Sequence, residues 1–333
     1  MNRRYLLPFF LALVCVLPVS GADEFPTLNI TGTIKARAEY ATELDQMRFS
    51  IRHTRLNFFG NVAPLVSYRA VMELSAYGNF NVLDLSGTLT PFENLSFTFG
   101  QKYKPFLDPH LTSPALMLFA NHALMVGKLA GMHDIGASTT YMFDVGRVPI
   151  QLDAGIFNAN VVNAPTWTTT PSLLLRANFG AMTGLRSSVK IYNYNSVGRN
   201  QHHLFYGATL RYAQPNWRIE AEILRRNDRD NSDLSLLSTY LQGYYVHPIR
   251  TRLFTALVPA FRWDTLDQNI SDSLFDVNRF TFGLGFRLTD RDSLSSVMRI
   301  NYEWFVMNHR LDAFFAVPQN GSNRLTLELA LNF

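Results

Sequence analysis

The chain has 333 residues, a formal charge of +4 and a single cysteine; 47% of its residues are hydrophobic and 13% aromatic, yet its mean hydropathy is close to zero. One cysteine excludes a disulfide scaffold. Beyond residue 20 there is no run of 18 apolar residues, which excludes an ordinary helical membrane protein.

The N-terminus reads as a secretory leader over residues 1–22. Arg3-Arg4 precede an apolar run from Tyr5 to Val19, and Ser20 and Ala22 supply the small residues of a cleavage site after Ala22. Removing this leader removes Cys15, and with Arg3 and Arg4 gone the formal charge falls from +4 to +2. The expected mature domain is 23–333.

From there the dominant pattern has period two. Leu28, Ile30, Gly32, Ile34, Ala36, Ala38 and Tyr40 alternate with Asn29, Thr31, Thr33, Lys35, Arg37 and Glu39. One face is apolar and the other charged, as in a half-buried strand. In the next segment Phe49 and Ile51 are out of phase with Leu56 and Phe58, which predicts a bulge near His53-Thr54 and leaves Arg48, Arg52 and Arg55 on the polar face.

Similar strands follow: 68–74, 83–89, 95–102, 135–143, 150–156, 173–179, 185–194, 204–212, 217–225, 237–246, 253–263, 279–288, 295–305 and 325–333. The phase of 237–246 is not readable from its residues. The count is about sixteen, an even number, with strand lengths suited to a tilted bilayer crossing.

The connections carry an independent signal. Asn61–Val66, Pro91–Asn94, Asp144–Val148, Gly180–Gly184, Gln214–Asn216, His247–Thr251 and Thr289–Leu294 are short. Between them lie longer ones such as 158–171, 264–278 and 306–322, with 78–81 as a short exception. Short turns on one side and long loops on the other are the pattern of a transmembrane barrel. Tyr40, Tyr68, Tyr141, Tyr212, Trp217, Tyr302, Trp304 and Phe333 fall near strand ends, where interfacial girdles belong.

One stretch breaks the alternation. After Gly100, residues 103–133 form an insertion in which Ser113 fits a helix cap, Pro114 the first helical position, and Leu116, Phe119, Ala120, Ala123 and Leu124 an apolar helical stripe ended by Gly127. Between Tyr103 and Gly131 the only basic side chains are Lys104 and Lys128, besides His110 and His122.

Several segments resemble landmarks of the phosphate-selective porin O and P family. They are Phe49-Ser50-Ile51-Arg52-His53-Thr54-Arg55-Leu56-Asn57-Phe58-Phe59-Gly60, Tyr68-Arg69, Gly100-Gln101-Lys102-Tyr103-Lys104-Pro105-Phe106 and Asp134-Ile135-Gly136. Phe333 resembles the aromatic end by which outer-membrane barrels are recognised for insertion. The resemblance implies a sixteen-stranded, usually trimeric porin of the bacterial outer membrane. It also implies a third outside loop folded into a lumen lined by arginines and lysines that favour anions.

The fold class expected is therefore all-β: a transmembrane antiparallel β-barrel of about sixteen strands with an inward-folded third extracellular loop at 103–133. On the strand phases the lumen receives Lys35, Arg37, Arg69, Lys102, Arg176, Lys190, Arg211, Arg218, Arg279, Arg287, Arg299 and Arg324. It also receives Glu39, Glu73, Asp84, Asp153, Glu220, Glu222, Glu303 and Glu328. The residues expected to line the pore and attract anions are Lys35, Arg37, Arg52, Arg55, Arg69, Lys102, Lys104, Arg176, Arg211, Arg279 and Arg287. An excess of cations along a narrow wet passage raises the local anion concentration.

Other motifs carry less. Asp228, Asp230 and Asp233 suggest a calcium loop, but Asp233 stands where its glycine belongs and Thr239 where its glutamate belongs. His202-His203 in a strand point to opposite faces. There is no Gly-x-Ser-x-Gly motif and no nucleic-acid motif, and no catalytic residue, metal ligand or cofactor is expected. The expected function is passive diffusion of small hydrophilic solutes, anions favoured, by a homotrimer in outer-membrane lipid. The competing expectation is a receptor, adhesin or structural barrel acting through its outside loops.

Overall fold

The structure, a computed structural model, describes residues 25–74, 79–129, 131–159, 162–196, 200–231, 235–268, 275–288, 296–307 and 318–333. The expected leader and most of 306–322 lie outside the described residues. The first part of the wall is β1 (Asn29–Ala41), β2 (Gln46–Ile51), β3 (Thr54–Ala63), β4 (Val66–Leu74), β5 (Phe80–Phe92) and β6 (Leu95–Tyr103). After the insertion come β7 (His133–Val145), β8 (Val148–Phe157), β9 (Ser172–Phe179), β10 (Gly184–Ser196), β11 (Gln201–Gln214) and β12 (Trp217–Asp228). The chain ends with β13 (Leu236–Tyr245), β14 (His247–Pro248), β15 (Ala256–Gln268), β16 (Val277–Arg287), β17 (Val297–Met307) and β18 (Arg324–Asn332).

Neighbouring segments pair antiparallel in chain order, and β1 pairs with β18, so the sheet closes on itself. Closure gives every strand two partners and leaves no edge. Among the eighteen segments, β2 and β3 both pair with β1, and β13 and β14 both pair with β15. Each of these couples is one interrupted strand, so the wall has sixteen.

The first interruption is the expected bulge. Ala36 lies opposite Ile51, but Thr33 lies opposite Arg55, a slip of one residue across Arg52 and His53, where His53 adopts a φ of 55°. The slip keeps Arg48 and Ser50 on the same face as Arg55 and Asn57 despite the change of phase.

The two faces of the wall are inverted relative to a water-soluble fold. Lys35, Arg37, Glu39 and Glu328 are buried, whereas Leu325, Leu327, Leu329 and Leu331 are exposed. Ile34, Phe49, Leu152, Leu175, Leu210, Ile219 and Ile300 extend the exposed apolar belt around the outside. A contiguous apolar exterior over polar interior positions is solvated by hydrocarbon, with the charged face turned to the lumen.

Aromatics mark both rims. Tyr141, Tyr212, Trp217 and Phe333 are exposed near the side that carries the termini, and Tyr40 and Trp304 near the other. Tyr212 and Trp217 stack with centroids 5.3 Å apart across the β11–β12 turn. On the terminal side β3–β4, β5–β6, β7–β8, β9–β10 and β11–β12 are joined by tight turns. On the opposite side the connections vary: β1–β2 and β10–β11 are short, and β6–β7 is the long insertion.

The insertion differs from its expectation. No helix starts at Pro114. Instead α1 (Pro109–Thr112) begins at Asp108, whose side chain accepts from the His110 N–H, and Ser113 ends it instead of capping a new one. The second helix, α2 (Leu124–Lys128), continues through Gly127. Between them a single turn, in which the Leu116 and Met117 N–H groups donate to Ser113 O, gives way to irregular backbone whose polar groups from Met117 O onward are bonded to the barrel wall, as the next section describes.

The inverted faces give a direct expectation. Leu327→Arg, at the middle of β18 facing lipid, should destabilise the barrel by about 2–4 kcal/mol, whereas Asn57→Arg, facing the lumen, should cost far less. Denaturant unfolding of both variants in lipid vesicles, followed by tryptophan fluorescence, checks the difference.

Candidate functional site

The insertion leaves the wall after β6 and is pinched at its base, where the Lys104 N–H donates to Met132 O at 2.9 Å. It then crosses the lumen to the wall formed by β1 and β15–β18. There its carbonyls are taken by arginines: Arg37 donates to Ala120 O at 2.8 Å, Arg299 to Met117 O at 2.7 Å, and Arg279 to His122 O at 2.7 Å. Arg262 adds a contact to Asn121 O at 3.2 Å, and its guanidinium lies 4.7 Å from the centroid of the Phe119 ring.

The N–H groups are met in the same way. Ala120 N–H donates to Asn301 Oδ1 and Leu124 N–H to Asp264 Oδ2, both at 2.7 Å. A buried backbone group without a partner is costly, so a segment satisfied by the wall has no need of a helical ladder.

The charges that hold this contact are themselves neutralised. Arg279 donates to both oxygens of Asp264, at 3.0 and 2.6 Å, and to Glu303 at 2.8 Å. Glu303 also accepts from Asn121 at 2.7 Å and from Arg324 at 2.9 Å. Arg37 reaches Glu328 at 2.5 Å, and Lys35 reaches the same carboxylate at 3.2 Å. Charge-assisted bonds in a buried network of this kind are short and geometrically specific.

Beyond the polar clamp the lumen is dry. Phe106, Leu107, Leu124, Met125, Val126 and Leu129 pack against inward-facing Phe157, Leu174, Tyr192, Phe205, Leu224, Leu236, Tyr240, Leu266, Val277 and Phe305. Here inward wall positions are apolar because they face the insertion and not water.

The remaining expected site residues divide by what they face. Arg211 is buried, 3.7 Å from Asp108, and Arg176 lies 3.5 Å from Leu107 O, both against the insertion. Lys104 is buried, 4.0 Å from Asp134. Lys102 donates to Ser138 and is half-buried, and Arg52 is half-buried at the strand slip. Arg287 lines a cavity of about 140 Å3 with Arg218 and Arg299, on the terminal side of the insertion.

Arg55 and Arg69 face open space. Between the Ser113–Leu116 turn and the wall of β1, β3, β4 and β5 remains a cavity of about 680 Å3, lined by Thr31, Arg55, Asn57, Ser67, Arg69 and Thr88 among others. Arg55 is held by Glu73 at 2.5 Å, and Arg69 by Asp84 at 3.3 Å.

Here the exposure of ion-pair partners is unequal. The Arg69 side chain is 59% exposed and that of Asp84 6%; on β2, Arg48 is 53% exposed and its partner Glu39 3%. Each guanidinium stands in front of its carboxylate.

Sequence reasoning missed Arg48 as a presented cation, and missed Arg262 and Asp264 as anchors. For the last two a signal existed: the alternation of β15 runs past Trp263 to Gln268, so Arg262 and Asp264 share the inward face. His202 and His203 do point apart, pairing with Asp230 at 2.9 Å and Asp228 at 3.3 Å. Among the described residues no group of three or more His, Cys, Asp or Glu is placed to hold a metal ion.

No protein-family profile matches the chain, and no curated protein matches it in sequence. Its fold is similar to solved porin structures. OmpF of Salmonella typhi superposes with a TM-score of 0.65 at 10% identity over 92% of this chain and 97% of that one. An anion-selective porin from Comamonas acidovorans gives 0.59 at 11% identity over 92% and 99%. OmpT of Vibrio cholerae, an outer-membrane protein in a trimer form, gives 0.58 at 12% identity over 92% and 99%. At such identities the likeness is one of fold: a closed sixteen-stranded barrel of the general porin type.

The clamp makes a testable demand. Arg279→Met leaves Asp264 and Glu303 without their shared cation and should destabilise the protein by roughly 3–5 kcal/mol, while adding Asp264→Asn and Glu303→Gln to it should recover part of the loss. Denaturant midpoints for the single and triple variants measure both effects.

Proposed function

We propose that this chain is a channel of the bacterial outer membrane, working as a homotrimer, through which small hydrophilic solutes diffuse passively with anions favoured. The observation that carries the anion preference is the unequal exposure of ion-pair partners. A count of lumen charges gives a modest excess of cations, twelve against eight. In addition, Arg48 and Arg69 stand forward while Glu39 and Asp84 lie behind them. A solute in the passage meets guanidinium groups first, at short range and through water, so the local potential is positive where it passes.

The insertion, seated against the opposite wall, narrows the lumen and confines the solute to the side of Arg55 and Arg69. Arg48 on β2 and Arg69 on β4 supply two separate weak contacts, with Arg55 held back by Glu73 between them, which favours passage over retention. The porin fold, the apolar exterior and the two aromatic rims support the membrane reading. The trimer form described for the Vibrio cholerae protein and the selectivity named for the Comamonas acidovorans porin accord with the assembly and the preference.

Purified protein in planar bilayers should conduct steadily, and in a potassium chloride gradient its reversal potential should shift toward the chloride value. Arg69→Glu and Arg48→Glu should each lower the anion-to-cation permeability ratio by roughly two- to fivefold, the factor set by ~0.5–1 kcal/mol of water-screened Coulomb energy. Unchanged selectivity in both would show that these groups do not set it. Replacing chloride with phosphate in the same gradient reads any oxyanion preference directly.

A further inference from the structure

We propose that a second cavity, on the loop side of the insertion, is a binding site for a small aromatic carboxylate. The proposal extends the channel reading and rests on it, because the ligand reaches this cavity from the mouth of the lumen. The cavity measures about 210 Å3 and is lined by Lys104, Tyr192, Tyr194, His203, Phe205 and Arg226, among others. Drug-sized ligands occupy pockets of ~300–1,000 Å3, so the space suits a single ring.

The decisive group is Lys104. Its side chain is 3% exposed, and its ammonium, with three N–H donors, has one hydrogen bond among the described residues, to Tyr192 Oη at 3.4 Å. Its carboxylate neighbour, Asp134, is 4.0 Å away. A buried ammonium with so few acceptors is stabilised by any anion that brings lone pairs to it.

The aromatic wall decides what that anion carries. Tyr194 and His203 stack nearly parallel, with centroids 5.7 Å apart, and Phe205 stands edge-on to Tyr194 at 6.4 Å. Tyr192 and Phe205 are stacked at 5.8 Å. A planar ring seated in the cavity against this cluster gains edge and face contacts that an aliphatic acid of equal charge does not.

Asp134 lies behind Lys104 and Asp228 lies 3.3 Å from His203 Nδ1, and neither lines the cavity. Lys104 and Arg226 line it, so the interior offers donors to a carboxylate and no carboxylate to repel it.

Titration calorimetry of the purified protein in detergent, with benzoate, cyclohexanecarboxylate and acetate as probes, tests the site. Benzoate should bind, and both other acids should bind at least about fivefold more weakly. Lys104→Met should weaken benzoate binding about tenfold or more, the scale of one charge-assisted hydrogen bond. Because Lys104 is buried, Arg226→Gln, at a half-exposed position, provides a second variant, and it should weaken benzoate in the same direction.

No benzoate binding by the native protein, equal binding of cyclohexanecarboxylate, or unchanged binding in folded Lys104→Met or Arg226→Gln overturns the proposal. Conductance of the same preparation separates the two readings. A conducting protein that ignores benzoate removes the site alone. A protein that binds benzoate as expected but never conducts removes the channel and leaves the site.

Discussion

The structure depends on how the insertion's backbone is satisfied inside the barrel. A segment that leaves the wall and crosses a lumen exposes peptide groups over its whole length, and each one buried without a partner costs free energy comparable to a lost hydrogen bond. A helix would satisfy these groups internally. Here Arg37, Arg279, Arg299 and Arg262 reach its carbonyls, and Asn301 and Asp264 take its N–H groups. The cations are in turn paired with Glu328, Asp264 and Glu303, so the wall carries a connected network and not isolated charges. That arrangement fixes the insertion to one side of the barrel and thereby determines where the lumen remains open.

From this seating follows a division of the inner wall into two environments. Where the insertion lies, inward positions are members of the polar clamp, other buried charges such as Arg211 and the Lys190–Glu222 pair, or apolar residues such as Leu224, Leu236, Tyr240 and Leu266. Where it does not, the inward positions of β1 and β3–β5 are Thr31, Arg55, Asn57, Ser67 and Arg69, which face water. The same arginine chemistry serves two ends. Arg279 is a structural cation enclosed by carboxylates, whereas Arg69 is a presented one with its carboxylate hidden behind it. Only the second kind acts on a solute in the passage, because the field of an enclosed, neutralised pair falls off steeply outside it.

This division explains which features were legible in the residues. The barrel, its strand count and its closure were readable because lipid outside and polar groups inside impose period two on almost every strand, and β18 shows it without exception from Arg324 to Asn332. The bulge was readable because a one-residue slip reverses the phase, and Phe49 and Leu56 record both halves. The phase of β13 was not, since Leu236 and Tyr240 point inward to a dry region while Leu237 and Leu241 point to lipid. The helix at Pro114 was misread for a related reason. Its apolar residues are buried as expected, Phe119, Ala120 and Ala123 among them, but the partners that replace helical hydrogen bonds come from strands about 140 to 180 residues later in the chain, and no local pattern records them.

The unequal exposure of ion-pair partners was the least legible feature, and the reason is geometric. A list of inward-facing residues weighs Arg69 and Asp84 equally, and the pair cancels. In three dimensions the long guanidinium stem extends into the passage and the short aspartate stays at the wall, so the pair acts as a dipole with its positive end toward the solute. Glu39 on β1 and Arg48 on β2 repeat this. The difference in side-chain length between arginine and acidic residues tends to produce such an orientation wherever the two stand side by side on a concave surface facing water. A barrel with a modest excess of lumen cations therefore exposes them more than the count alone implies, and the carboxylates behind Arg48 and Arg69 hold the guanidinium groups in place.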